Sequence, residues 1–484
     1  MDDGWRRAIR GWVAPAARTR KLRHPIGRHP IYGLWHGTGS HCGRASLRQR
    51  PRTASWPRAG SSLRPFGPAP RRRRCKPGHA GRLTVGPPAP APGLRRGPRP
   101  LLLHLTLAML RSNASLAASL SWSAGWPTSK PRPEEAAALA AAIAERAGAL
   151  PGAVLEETLR QDTALIAGIA AYRRHPYHRE LPDPPVIFVE GDTRLLDFGG
   201  AGPPVLFVPS LINRAYVLDL APGRSMMRWL AGRGLRPLLL DWGWPGETER
   251  QFTLTDYIAG RLERALAAVG APVVLAGYCM GGLLAVAAAQ RRPDLVAALA
   301  LLATPWDFHA GDPERAQFLA HLLPLFEPAL GFAGTLPVDG LQLLFAMLDP
   351  HGIAGKYRDF GRLDPASARA TLFVALEDWL NDGVPLAAPV ARECLRDWYG
   401  ANAPVCGAWR VAGLGVDPAA LRLPVFVAVP ARDRIVPPES ARPLAAALPG
   451  ATLHQPRAGH IGMAAGAAAE SALWRPLAEW IAGL

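Results

Sequence analysis

Pro272-Val-Val-Leu-Ala-Gly-Tyr-Cys-Met-Gly-Gly-Leu-Leu-Ala-Val286 decides how this chain folds: a short apolar run, then Gly277-Tyr-Cys-Met-Gly281, then an Ala/Leu-rich pattern. The run reads as a strand, the pentapeptide as a tight turn and the remainder as a helix, with Cys279 at the turn. The pattern G-x-C-x-G is a nucleophile elbow with cysteine in the serine position. Its glycines let strand and helix pass closely enough to project one strained side chain. A buried structural cysteine beside a glycine-rich helix start is the rival reading.

Outward from this stretch, short β-rich runs lie at 186–190, 193–198 and 204–209, separated by glycine-containing turns. Apolar runs follow at 237–241, 272–276 and 296–303, each separated from the last by an amphipathic helical segment. Continuous apolar strands alternating with helices predict a mostly parallel sheet covered on both faces. The alternation stops after Thr304-Pro-Trp-Asp-Phe308 and resumes at Pro424-Val-Phe-Val-Ala-Val429. Between them, apolar residues at helical spacing over 318–326, 341–348 and 379–399 predict a helical insertion placed as a cap or lid.

Two polar residues near the C-terminus complete a chemical set. Asp433 lies in Pro430-Ala-Arg-Asp-Arg-Ile-Val-Pro437, just past a predicted strand, and His460 lies in Ala458-Gly-His-Ile-Gly462, on a predicted loop. The order nucleophile, acid, base is that of the α/β-hydrolase fold and differs from other folds carrying the same triad. The expected fold class is therefore α/β, with a mostly parallel sheet, helices on both faces and a helical cap insertion. A histidine partner and a helix start both favour the thiolate of a cysteine. His460 would accept the thiol proton, and Asp433 would hold the imidazole in one tautomer. The backbone N–H of Met280, with one from Leu211 or Ile212 in the loop Pro209-Ser-Leu-Ile-Asn213, would form an oxyanion hole, worth roughly 3 kcal/mol per donor.

The net charge of +18 is unevenly spread. Residues 1–130 carry 25 Lys/Arg and only Asp2 and Asp3 as acids, which leaves 31 basic and 36 acidic residues for 131–484, a net of −5. The part expected to fold therefore gives no sign of a nucleic-acid partner. Rich in Arg, Pro, Gly, Ser and Trp and without sustained periodicity, the leader 1–130 is expected to form no packed core. It reads as a disordered polyanion-binding arm or, preferably, as sequence upstream of a true start. Met109 is a candidate start, which would make the preceding residues dispensable. The apolar run Leu101-Leu-Leu-His-Leu-Thr-Leu-Ala-Met-Leu110 is too short to cross a bilayer, and no transmembrane segment or export signal is expected.

A helical segment is expected over 131–185, with helices at 134–146 and 154–172, and the polar Arg173-Arg-His-Pro-Tyr-His-Arg179 reads as a solvated linker. The remaining boundaries are 186–305 and 424–484 for the two parts of the core and 306–423 for the cap. The five cysteines, Cys42, Cys75, Cys279, Cys394 and Cys406, have neither metal-ligand spacing nor the pattern of a disulfide framework. They point to a reducing cytoplasm and no metal site; no cofactor is expected.

With these residues in view, 150–484 resembles the polyhydroxyalkanoate synthase family. Gly277-Tyr-Cys-Met-Gly-Gly282 is similar to its cysteine-containing lipase box, and Val208-Pro-Ser-Leu-Ile-Asn-Arg-Ala-Tyr-Val-Leu-Asp-Leu220 to its strand-loop-helix signature. Asp241-Trp-Gly-Trp-Pro245, Thr304-Pro-Trp-Asp-Phe308, Asp433-Arg-Ile-Val-Pro437 and Gly459-His-Ile-Gly462 are similar too. The resemblance implies an acyltransferase that polymerises (R)-3-hydroxyacyl-CoA into storage polyester, poly-3-hydroxybutyrate among them, and releases CoA. Cys279 would be the acylated nucleophile, His460 the base and Asp433 the third member. It implies work at the surface of cytoplasmic polymer granules, as a homo-oligomer or with a second synthase subunit. A polyester depolymerase or thioesterase on the same scaffold is the alternative, and a catalytically weak granule-surface protein a third reading. Arg434 stands where the family commonly has His, as a basic neighbour expected to compete for Asp433.

Overall fold

Alternation along the central strands divides their side chains between two cores. Leu206, Val208, Leu238, Leu240, Val273 and Leu275 face one core, while Val205, Phe207, Leu239, Val274 and Ala276 face the other. The computed structural model describes residues 95–123, 141, 142, 144–146 and 148–484. Its main sheet has eight strands: β1 (Val186–Glu190), β2 (Thr193–Asp197), β3 (Pro204–Val208), β4 (Arg236–Asp241), β5 (Val273–Tyr278), β6 (Val296–Leu302), β7 (Val425–Ala428) and β8 (Thr452–His454). Their order is β1-β2-β4-β3-β5-β6-β7-β8. Pairs β1/β2 and β2/β4 are antiparallel and every pair from β4 onward is parallel. Helices Glu263–Ala268 and Met280–Arg291 contribute to the first core, and Met226–Ala231 and Arg475–Ala482 to the second. A leucine such as Leu283 or Leu206, fully buried, contributes about 2 kcal/mol by leaving water.

The turn between β5 and the helix Met280–Arg291 forces its own sequence. Cys279 has φ 58° and ψ −129°, a conformation that side chains rarely adopt and that persists only where the surroundings over-determine it. A Cβ on Gly281 would lie 2.0 Å from the Val208 carbonyl oxygen, and one on Gly277 would lie 2.4 Å from Gly282 Cα. Both approaches are to backbone, which cannot swing aside. Gly281→Ala should therefore cost about 3 kcal/mol or more in chemical denaturation, and a loss under about 1 kcal/mol would contradict so tight a crossing.

Between β6 and β7 lie the helices Pro313–His321, Leu323–Ala333, Val338–Ala346, Gly352–Phe360 and Ala368–Asn381. Further upstream, Leu150–Arg174 is helical. His175 is not in a solvated linker, as the polar run suggested. It is buried, its Nδ1 accepts from the Tyr177 N–H and its Nε2 bonds the Pro365 carbonyl oxygen at 2.9 Å.

The leader departs most from expectation. Residues 1–94 and 124–140, with most of the expected helix 134–146, lie outside the described residues. Within the leader, however, 95–123 is built into the fold. Leu101–Ser123 is one helix packed along Leu150–Arg174, with Ala108 buried and the Ser112 hydroxyl donating to Asp162 at 2.8 Å. By length and composition its first twenty residues could span a membrane. The expected run of ten residues was therefore too short an estimate; the neighbouring helix covers one flank, while Leu102, Met109, Leu110 and Leu120 are exposed. Ahead of it, the Arg95 guanidinium bonds Asp378 at 2.7 Å and the carbonyl oxygens of His175 and Tyr177. The Arg99 N–H donates to Asn381 at 2.8 Å, and Arg173 reaches back to the Gly97 carbonyl at 2.9 Å. These contacts leave no local signal in the sequence, because the acids that pair with Arg95 and Arg99, Asp378 and Asp339, are far away along the chain.

Candidate active site

Each candidate residue sits just beyond the C-terminal end of a strand, where the parallel sheet opens; His460, expected on a loop, is instead the first residue of the helix His460–Ala465. Cys279 caps β5, Asp433 follows β7 and His460 follows β8. The loops carrying the last two are joined by backbone hydrogen bonds, Ala431 N–H to the Pro456 carbonyl at 2.9 Å and Arg432 N–H to that of Ala458 at 3.0 Å. This fixes the acid relative to the histidine.

The structure brings Cys279, His460 and Asp433 together. His460 Nδ1 bonds Asp433 Oδ2 at 2.7 Å, and both side chains are buried. A carboxylate accepts, so Nδ1 carries the proton and Nε2 is left for the hydrogen bond that His460 makes with Cys279. Asp433 Oδ1 accepts the N–H groups of Ile435 at 2.9 Å and Val436 at 2.8 Å, which locks the carboxylate in place. Burial pulls the His460 pKa down, but the Asp433 carboxylate and Cys279 outweigh it and hold the pKa well above the usual histidine value. The Tyr278 ring stacks on the imidazole with centroids 5.1 Å apart, and its hydroxyl donates to the His460 carbonyl at 3.2 Å.

Asp433→Asn keeps the two backbone acceptor bonds within reach but removes the charge. Turnover should fall roughly 10⁴-fold, the loss known for a triad aspartate, and the pH profile should show a lower His460 pKa. Because the folded pKa is raised, this pair stabilises the fold fully below the ordinary histidine pKa of about 6.5 and loses that contribution as pH rises through the folded value. The variant should lose that pH dependence. An unchanged profile would mean Asp433 does not govern the histidine.

Arg434 does not compete for Asp433, contrary to the expectation. The carboxylate is already satisfied, and the guanidinium turns to Asp349 of the cap at 3.3 Å. Met280 opens the helix after Cys279 and is buried. In the loop after β3, Leu211 is buried and the Ile212 N–H donates to Ser210 Oγ at 3.2 Å. Of these two, Leu211 is therefore the one without that side-chain claim on its N–H.

A cavity of about 150 Å³ lies over Cys279 and His460. The cap supplies Phe345, Ile353 and Leu380 to its wall, and the β3 loop Ser210, Ile212 and Asn213. Pro98, Arg99 and His104 line it too, and no local signal in the sequence marked them. Lys356 and Glu377 reach the same wall as a buried ion pair at 2.5 Å, with the Tyr357 hydroxyl donating to Glu377 at 2.9 Å. Among the described residues no group of His, Cys, Asp or Glu could hold a metal ion.

The alpha/beta hydrolase fold family matches residues 203–325. The poly(3-hydroxyalkanoate) polymerase subunit PhaC of Haloferax mediterranei is 30% identical over 313 residues, 61% of this chain and 63% of that protein. The subunit of the same name from Synechocystis sp. is 31% identical over 294 residues, 57% of this chain and 77% of that protein. That of Allochromatium vinosum is 29% identical over 286 residues, 57% of this chain and 80% of that protein. The chain thus spans somewhat less than two thirds of the Haloferax relative and over three quarters of the other two.

Proposed function

This chain belongs to the poly(3-hydroxyalkanoate) polymerase family, and from that premise we propose that it polymerises (R)-3-hydroxyacyl-CoA into polyhydroxyalkanoate through a thioester on Cys279. The observation that carries the reading is the connected set Cys279, His460 and Asp433 beneath a mostly apolar cavity.

His460 Nε2 takes the thiol proton, and the Cys279 thiolate attacks the carbonyl carbon of the CoA thioester. The tetrahedral oxyanion is met by the N–H groups of Met280 and Leu211. The bond from that carbon to the CoA sulfur then breaks, and CoA leaves with the proton held by His460. In the second half, a hydroxyl gives its proton to His460 and attacks the acyl carbon on Cys279; the bond from that carbon to Sγ breaks, the ester forms, and His460 returns the proton to the sulfur, regenerating the thiol. Thiol and thioester are close in energy, so loading is reversible and the acyl group stays ready for transfer as long as water is excluded. The cap residues over Cys279 serve that exclusion. The same reading has the protein at the surface of cytoplasmic polymer granules, as a homo-oligomer or with a second subunit.

Incubation of the full chain with 3-hydroxybutyryl-CoA, following free CoA and turbidity together, tests this. CoA release with turbidity is the expected result. Release with soluble 3-hydroxybutyrate alone, even with candidate partner subunits added, would make the protein a hydrolase instead.

A further inference from the structure

The wall of the cavity over Cys279 holds polar groups that the mechanism does not use, and several of them are committed to one another. Lys356 pairs with Glu377 at 2.5 Å, Arg434 with Asp349 at 3.3 Å, and the Gln342 amide donates to the Leu380 carbonyl at 2.9 Å. Among the described residues, two buried side-chain polar atoms without a hydrogen-bond partner belong to that wall, Asn213 Oδ1 and His104 Nδ1. An amide can present either its oxygen or its nitrogen at such a point, so Asn213 does not define what it would meet. His104 does.

His104 Nε2 lies 3.1 Å from the Arg99 carbonyl oxygen, which only accepts, so Nε2 carries the proton. Burial, opposed by that bond, holds the His104 pKa below the usual histidine value, and the ring is neutral. Nδ1 is therefore a bare lone pair, an acceptor and nothing else. Its position is fixed from two sides. His104 lies in the first turn of the helix Leu101–Ser123, and Arg99, which holds its ring, donates its own N–H to Asn381 of the cap at 2.8 Å. The residue is 4% exposed, and a buried acceptor left unpaired costs free energy that a bound donor recovers.

We propose that His104 Nδ1 accepts a hydrogen bond from the 3-hydroxyl of the entering acyl group, which makes it a specificity-determining residue for hydroxyacyl over plain acyl donors. This rests on the reading that a 3-hydroxyacyl thioester is the acyl donor. Thioester and polyester carbonyls only accept, so within the acyl group the hydroxyl is the one donor that can meet a lone pair. A site that pairs a buried acceptor with a substrate hydroxyl discriminates against the analogue lacking it, because the acceptor is then left unpaired. His104 lies ahead of 150–484, the stretch that carries the family resemblance, so the resemblance assigns it no part.

The test is titration calorimetry of the full chain carrying Cys279→Ala, which binds without reacting, with (R)-3-hydroxybutyryl-CoA and with butyryl-CoA. The two ligands share every group of CoA, its amide N–H groups included, and differ in one hydroxyl. The expected result is a Kd roughly tenfold lower for the hydroxyacyl thioester, with the ratio falling to about twofold or less when His104→Gln is added. Glutamine keeps a donor for the Arg99 carbonyl near the Nε2 position and offers no acceptor near Nδ1. His104→Asn does the reverse, so the ratio should survive there even if the melting temperature drops. Equal affinities in the parent, a ratio that survives His104→Gln, or one that is lost in folded His104→Asn overturns the assignment, as does the absence of binding by either thioester. Wild-type protein that releases CoA from 3-hydroxybutyryl-CoA without making polymer would sink the polymerase reading alone, since the affinity ratio is measured without turnover.

Discussion

Cys279→Ala should release no CoA from 3-hydroxybutyryl-CoA, while its melting temperature stays within a few degrees of the wild type. The substitution removes one sulfur from a half-buried position and leaves a Cβ at the same φ of 58°, so the strained turn is kept and only the nucleophile goes. Cys279→Ser should retain at most about a thousandth of the activity, roughly 4 kcal/mol in barrier. An alkoxide is far harder to generate than a thiolate, and the oxygen ester it would form passes its acyl group on less readily. Residual turnover above about a hundredth in the alanine variant would place the reacting group elsewhere.

Truncation to begin at Met109 should have the second largest effect, and it reverses what composition suggested. It removes Arg95, Arg99 and His104 and leaves Asp378 with the Tyr172 hydroxyl alone of the side-chain partners named for it. Burial already pushes the Asp378 carboxyl up, against the pull of Arg95. Removing one member of a largely buried pair costs about 3–5 kcal/mol. Pro98, Arg99 and His104 also form part of the cavity wall over Cys279. Even protein that folds should let water reach the acyl-cysteine, so that free 3-hydroxybutyrate rises at the expense of polymer. A truncated chain that melts like the full chain and makes polymer equally well would show the contacts of 95–108 to be dispensable. Arg95→Ala isolates the ion pair and should keep the cavity wall while losing stability.

The contrast between these two regions shows where sequence reading works. Cys279 was legible because strand, glycine turn and helix are local, and because the turn demands residues that little else demands. Asp433 and His460 were legible only jointly, through their order after the elbow and their strand-end positions. The segment 95–123 was illegible because its logic is nonlocal. An arginine with no nearby acid looks like a solvated charge until Asp378 of the cap arrives beside it. The apolar run seemed to end at Leu110, yet the helix continues through Arg111 and Ser112, which face Asp162 of the neighbouring helix. Arg434 misled in the opposite way. Adjacency in sequence suggested competition for Asp433, but consecutive loop residues point apart, and two backbone N–H groups had already claimed the carboxylate.

The most direct test of the central claim is mass spectrometry of the wild-type protein quenched shortly after mixing with 3-hydroxybutyryl-CoA. The three described cysteines make the comparison internal. Cys394 is half-buried and desolvation pushes its thiol pKa well up, which leaves it unreactive, and Cys406 is exposed. The account predicts a 3-hydroxybutyryl adduct on the peptide containing Cys279, lengthening by whole units as substrate is supplied and absent from Cys394 and Cys406. CoA released at full rate with Cys279 unmodified, or with the acyl group on another residue, would contradict it.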